Sequence, residues 1–152
     1  MRKNTIRTIV TGLKEHYMST DVYCLINSLS ITLIKKPLLN GKKAKCVRNI
    51  FGDEFIYISS TVSEYEEKFI LAHELGHIIL HKDITCEYYD NSLLNKDKLE
   101  FEANYFAMEF LLPNNLDYLE LEGFSLEQLS NMYGIPEKIL LIKINELNEV
   151  KL

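Results

Sequence analysis

A run of apolar residues from Phe69 to Leu80 carries histidines at intervals of four, and this run most constrains how the chain can fold. Ser63 and Glu66 precede it with the S-x-x-E spacing that is typical of a helix start. Apolar residues occupy nearly every face of the helix predicted here, and a helix that is apolar all round must be buried. The polar imidazoles on such a helix need partners that satisfy them.

The histidines belong to a motif with a known chemical use. Residues His73 to His77 read H-E-L-G-H, which is the pattern H-E-x-x-H. Residues four apart stack on one face of a helix, so both imidazoles can reach one metal ion while Glu74 points beside them. Neutral imidazole binds Zn²⁺ at about 2.0–2.1 Å, and a catalytic zinc site keeps three protein ligands and a water molecule. The sequence therefore predicts a zinc site that needs one more ligand.

A second apolar helix, predicted over residues 97–112 and ended by Pro113, offers that ligand. We expect Glu100 to be the third zinc ligand, because small alanines on its face would let the two helices approach closely. Asn104 lies on the same face and could accept a hydrogen bond from the far nitrogen of a ligating histidine. Glu102 stays an alternative to Glu100 as the ligand.

Other polar residues near the motif are expected to have structural roles. His81 stands about 12 Å along the helix axis from His73, which is too far for both to bind one metal ion, so it should cap or pack at the helix end. Glu109, and Glu102 if it is not a ligand, are expected to face solvent. His16 is expected to be structural or exposed.

The order of the predicted elements indicates an α+β fold, in which a small antiparallel sheet packs on a zincin-like pair of core helices. We predict a single domain over residues 1–152. Its parts are amino-terminal helices (1–29), a small sheet (30–62), the active-site helices with their loop (63–113) and carboxyl-terminal helices (114–152). The predicted strands cover residues 31–35, 45–51 and 54–59, with a tight turn at Gly52-Asp53.

Composition excludes several classes of protein. The chain has 152 residues, of which 47% are hydrophobic and 26% charged, so a disordered or fibrous protein is disfavoured. A net charge of −5 argues against nucleic acid as a direct partner. No apolar run is long enough for a membrane span or a signal peptide, so we expect a cytoplasmic protein. Cys24, Cys46 and Cys86 are too few and too scattered for a disulfide framework and are expected to be reduced.

Two segments together resemble a known family. FILAHELGHIILH (residues 69–81) and LEFEANYFAMEFLLP (residues 99–113) are similar to the ImmA/IrrE zinc metallopeptidases of bacteria and their mobile elements, with weaker similarity over about residues 20 to 115. The resemblance implies that His73 and His77 bind zinc, with Glu100 at the position of the third ligand. It also implies that Glu74 is the catalytic acid and base. The implied activity is endopeptidase cleavage of a separate helix-turn-helix repressor of a prophage or mobile element.

The hypothesis that follows is a zinc-activated water from which Glu74 takes a proton before it hands that proton to the leaving amine. The substrate backbone is expected to pair with an exposed edge of the strand FIYIS, residues 55–59. Tyr88, Tyr89 or Tyr105 could stabilise the oxyanion.

Two other functions stay open. The protein could hold zinc without catalysis and act as an antirepressor by binding alone. Residues 126–147 could instead form a DNA-reading pair of helices, but Lys138 and Lys143 stand there beside acidic residues, which is a poor electrostatic footprint for DNA. Core packing or partner docking is therefore favoured for these helices.

Overall fold

The computed structural model describes residues 1–82, 96–114 and 116–151, and its α+β architecture confirms the predicted fold class. The helices are α1 (Lys3–Tyr17), α2 (Val22–Ser28), α3 (Glu64–Leu80), α4 (Lys96–Leu111), α5 (Tyr118–Leu121), α6 (Leu126–Tyr133) and α7 (Glu137–Lys151). The strands are β1 (Thr32–Lys36), β2 (Ala44–Arg48) and β3 (Glu54–Ser59), and a short 3-10 helix covers Leu39–Gly41. Within these ranges, no helix is both long enough and apolar enough to cross a lipid bilayer.

The sheet is mixed, whereas an antiparallel sheet was expected. Its order is β1-β3-β2, with β2 antiparallel to β3 and β1 parallel to β3. The hairpin of β2 and β3 forms as predicted, but its turn spans residues 49–53 and is longer than the two-residue turn expected. Asn49 organises this turn, since its Oδ1 accepts hydrogen bonds from the backbone N–H groups of Phe51 and Asp53.

Helices α3 and α4 pack against each other at the centre of the fold. Strands β2 and β3 cover α3, while α1 and α7 pack on α4. Leu71, Leu75, Phe106 and Ala107 on the two central helices are fully buried. The burial expected for α3 is therefore observed, and the packing places its histidine side chains beside α4.

Local capping explains where the helices begin. The Ser63 side chain accepts a hydrogen bond from the backbone N–H of Glu66 at the start of α3, while the Glu66 carboxylate accepts from Lys43 Nζ at 2.7 Å and from the Ser63 hydroxyl at 3.4 Å. At the start of α6, Ser125 and Gln128 form a capping box: the Ser125 side chain accepts from the Gln128 backbone N–H, and the Gln128 side chain accepts from the Ser125 backbone N–H. The first of these caps marks the start of α3, the helix that carries His73 and His77.

Candidate metal centre

His73 and His77 of α3 meet Glu100 of α4 in one cluster. The two Nε2 atoms lie 3.1 Å apart, and the Glu100 oxygens lie 3.1 Å from His77 Nε2 and 3.3 Å from His73 Nε2. Ligands at about 2.0–2.1 Å from a tetrahedral Zn²⁺ ion stand roughly 3.3–3.4 Å from one another. The spacing of these three side chains therefore fits a zinc-sized cation. The Glu100 side chain is 38% exposed, so the cluster opens to solvent on that side.

Asn104 holds the far side of the His73 ring. The Nδ1–H of His73 donates to Asn104 Oδ1 at 2.7 Å, which directs the lone pair of Nε2 toward the cluster. Burial lowers the pKa of His73, but the hydrogen bond to the Glu100 carboxylate and the charges of Glu74 and Glu100 outweigh burial and leave this pKa raised. The negative charge around His73 is the kind of surrounding that a divalent cation would neutralise.

His77 has a different partner, which the sequence reasoning missed. Its Nδ1 lies 3.0 Å from Nδ1 of His81, and Nε2 of His81 lies 3.1 Å from Glu102 Oε2. His81 is the C-cap residue of α3, as expected of a packed helix end. Glu102 is only 4% exposed, so its expected position facing solvent is wrong. Glu102 contacts His81 and not the cluster of His73, His77 and Glu100.

Glu74 lies beside the cluster on α3 and contacts the sheet. The thiol of Cys46, on β2, donates a hydrogen bond to the Glu74 carboxylate. Burial raises the pKa of Glu74 above its ordinary value, against the opposing influence of His73 and His77. A raised pKa makes a carboxylate a better proton acceptor, which suits a general base. No feature of the sequence around Cys46 signals this contact, because it depends on how β2 packs on α3.

Two further expectations about polar residues are wrong. Glu109 is 8% exposed and its Oε1 accepts a hydrogen bond from Lys143 at 2.7 Å, so it does not face solvent. Tyr105 is fully buried and its hydroxyl binds Arg7 and Glu146, so it does not reach the cluster as an oxyanion donor. Tyr88 and Tyr89, the other candidates for that role, lie outside the described residues, as does Cys86.

The expectation that residues 55–59 form an exposed strand edge for the substrate is also wrong. The strand FIYIS, residues 55–59, belongs to β3 and is hydrogen-bonded on both sides, to β1 and to β2. In the described part of the chain, the edge strand that packs on α3 is β2.

The interpretation of residues 126–147 as a DNA-binding pair of helices also loses support, because Lys143 is buried against Glu109 and cannot contact phosphates.

A histidine pair on one buried helix, a carboxylate from a second helix and a glutamate between the histidines define a site of the metallopeptidase type. Residues 26–145 match the model of the IrrE N-terminal-like domain, a peptidase family. The chain is 36% identical to Metallopeptidase ImmA of Bacillus subtilis (strain 168) over 148 residues, which cover 93% of this chain and 85% of that protein. It is 32% identical to Uncharacterized immunity region protein 2 of Bacillus phage phi105 over 152 residues, which cover 96% of this chain and 92% of that protein.

The chain therefore belongs to the family of the IrrE N-terminal-like domain, as its resemblance to the ImmA/IrrE proteins predicted. Membership makes it a metallopeptidase, which implies a metal ion as cofactor and a protein substrate.

Proposed function

We propose that this protein is a zinc-dependent endopeptidase whose metal ligands are His73, His77 and Glu100 and whose proton carrier is Glu74. The observation that carries the proposal is the distance between the donor atoms of these three side chains. The two Nε2 atoms and the nearest Glu100 oxygens lie 3.1–3.3 Å apart, close to the ligand–ligand distance around a tetrahedral Zn²⁺ ion. Two imidazoles and one carboxylate are the donor set of many catalytic zinc sites. A bound zinc ion would supply a Lewis acid that makes water acidic and polarises the scissile carbonyl.

The chain's own residues move the proton. Glu74 follows His73 directly in α3, and its carboxylate accepts a hydrogen bond from the Cys46 thiol. As a base, Glu74 takes a proton from the attacking water; as an acid, it delivers that proton to the amine that leaves. Burial raises the pKa of Glu74, which makes its carboxylate a better proton acceptor.

The edge of β2 is the proposed docking position for the substrate backbone. Because β3 pairs on both sides, it cannot add another strand, whereas β2 lies at the edge of the described sheet. Strand β2 also packs on α3 and carries Cys46, which contacts Glu74. An extended peptide paired with β2 would therefore run past the carboxylate that transfers the proton.

The proposed substrate is a separate helix-turn-helix repressor of a prophage or mobile element. This part rests on the resemblance to the ImmA/IrrE proteins and on the phage immunity region from which one relative takes its name. The helices α6 and α7 do not offer a competing DNA site, since Lys143 of α7 is paired with Glu109.

Metal content tests the ligand assignment. We expect purified wild-type protein to retain about one zinc ion per chain after dialysis, as expected for a site with three protein ligands. Glu100→Ala removes one ligand and should lose most of that zinc, while Glu122→Ala, which changes an exposed glutamate, should keep it. Elemental analysis of the three proteins gives the comparison. Equal zinc in all three would remove Glu100 from the site.

Cleavage tests the role of Glu74. We expect wild-type protein to cut the helix-turn-helix repressor encoded nearest to its gene, and Glu74→Gln to keep zinc while its rate falls by about 10²–10⁴-fold, as for the loss of a general acid and base. Mass spectrometry of the repressor measures the cut. A wild-type protein that holds zinc and binds the repressor without cutting it would be the non-catalytic antirepressor.

A further inference from the structure

His81 and Glu102 form a buried polar pair next to the proposed metal site. His81 lies at the end of α3 and Glu102 in the first half of α4, and they are 8% and 4% exposed. His81 Nε2 lies 3.1 Å from Glu102 Oε2, and its Nδ1 lies 3.0 Å from His77 Nδ1. The pair therefore contacts the ring of a proposed ligand on the side that faces away from the metal position.

We propose that His81 and Glu102 are positioning residues, which orient the ring of His77 and fix its tautomer so that Nε2 is unprotonated and can bind the metal ion. This inference rests on the proposed function, because it takes His77 as a zinc ligand. It gives a role to two side chains that lie outside the described cluster of His73, His77 and Glu100.

The direction of the hydrogen bonds follows from the chemistry of each group. An ionised carboxylate only accepts, so Glu102 requires that His81 Nε2 carry its proton. Glu102 Oε1 accepts in addition from the ammonium group of Met1 at 2.9 Å, which is consistent with an ionised carboxylate. A neutral His81 that carries its proton on Nε2 presents a lone pair on Nδ1.

That lone pair determines the tautomer of His77. His77 must donate from its Nδ1 to the Nδ1 of His81, so its own Nε2 is left unprotonated. His77 Nε2 is the atom that lies 3.1 Å from His73 Nε2 and 3.1 Å from Glu100 Oε1. The charge of Glu102 is thus transmitted through His81 to the nitrogen that would bind the metal ion.

Different hydrogen-bond partners hold the two proposed histidine ligands in the same tautomer, with Nδ1 protonated and Nε2 unprotonated. Asn104 accepts from His73 through a neutral amide oxygen, whereas His77 depends on a carboxylate through an intervening imidazole. A hydrogen-bonded carboxylate raises the basicity of the imidazole it contacts, and loss of such outer partners typically costs 10–100-fold in metal affinity. The His81–Glu102 pair should therefore strengthen metal binding as well as orient the ring.

Variants at position 81 separate positioning from simple packing. In His81→Leu the acceptor for His77 is lost, and we expect the dissociation constant for Zn²⁺ to rise by about 10–100-fold. In His81→Asn the amide oxygen can replace the lone pair of Nδ1, so we expect most of the affinity to return. His16→Leu changes an exposed histidine on α1 and is the matched control, with an unchanged dissociation constant.

The measurement is competition for Zn²⁺ with a chromophoric chelator, together with the visible spectrum of the Co²⁺-substituted proteins. A changed Co²⁺ spectrum in His81→Leu, restored in His81→Asn, would show that the ligand environment has changed, which a loss of packing alone would not produce. If His81→Leu does not fold, Glu102→Ala takes its place, with the same expected loss of affinity.

The outcomes distinguish this inference from the proposed function. Wild-type protein that binds no Zn²⁺ would overturn the proposed function. Wild-type protein that binds Zn²⁺ with the same affinity as folded His81→Leu and Glu102→Ala would overturn the inference alone.

Discussion

Gly76 shows how a single residue sets the distance between the two central helices. A Cβ atom at this position of α3 would lie 3.1 Å from Cδ1 and 3.2 Å from Cβ of Phe106 on α4. Phe106 is fully buried and stacks on Phe110, so it has little room to move away. The absence of a side chain at residue 76 therefore allows α3 and α4 to approach at the turn that presents His77.

Replacement of Gly76 should reverse the usual effect of alanine in a helix. Alanine gains about 1 kcal/mol over glycine in a helix interior, but overpacking of a core costs about 1–3 kcal/mol. We expect Gly76→Ala to lower the free energy of unfolding by about 1 kcal/mol. Gly12→Ala, in the exposed part of α1 with open space around it, should raise this free energy by up to about 1 kcal/mol.

Urea denaturation of the two variants and the wild type measures the change in the free energy of unfolding, which should be negative for Gly76→Ala and positive for Gly12→Ala. Stabilisation of equal size in both variants would mean that Phe106 yields, and that Gly76 does not limit the approach of the helices.

At the scale of elements, buried charges join helices that are distant in the sequence. Lys143 of α7 donates to Glu109 of α4 at 2.7 Å, and Nε of Arg7 on α1 lies 3.7 Å from the same carboxylate oxygen. Glu109 and Lys143 are both buried. A buried ion pair contributes little by itself, but removal of one partner leaves a charge without compensation. This pair therefore links α7 to α4 by a contact that neither partner can lose without cost.

Replacement of Lys143 alone should destabilise the protein more than replacement of both Lys143 and Glu109. We expect Lys143→Met to lower the free energy of unfolding by up to about 3 kcal/mol, the lower end for a broken buried pair, because Arg7 still contacts Glu109. The double variant Lys143→Met/Glu109→Leu should lose less than the single one. Lys138→Met, at an exposed lysine of the same helix, is the control and should change little. A single variant as stable as this control would exclude the coupling.

The sequence predicts the bounds of helices and strands better than it predicts which of them pair with one another. Capping residues and apolar spacing are local signals, so the predicted helix over residues 97–112 differs from α4 (Lys96–Leu111) by one residue at each end. The pairing of β1 with β3 is not local, since β2 lies between them in the sequence, and the expected antiparallel sheet was wrong in this respect.

The same distinction applies to the site. The spacing of His73 and His77 is a property of one helix, and it brings their Nε2 atoms together. The contact between His81 and Glu102 joins two helices, so the spacing within either one gives no sign of it. Glu102 was therefore expected to face solvent when it is buried.

On the scale of the whole molecule, the proposed metal ion would connect the two central helices. His77 and Glu100 are 23 residues apart in the sequence and belong to α3 and α4. Helix α4 in turn packs on α1, α3 and α7. An ion that binds only the folded chain stabilises it by an amount that grows with the free ion concentration. The proposed site should therefore influence the stability of the entire fold and not only that of the two helices that carry its ligands.

Zinc should raise the midpoint of thermal unfolding. At a free Zn²⁺ concentration about 100 times the dissociation constant, the stabilisation is about 2.7 kcal/mol, which corresponds to roughly 5–10 °C for a chain of this size. His77→Ala removes one proposed ligand and should show little of this shift. Mg²⁺ at the same concentration should have no effect, because it prefers oxygen ligands to imidazole. Scanning calorimetry with each ion measures the difference, and an equal shift for His77→Ala and wild type would place the zinc ion elsewhere in the protein.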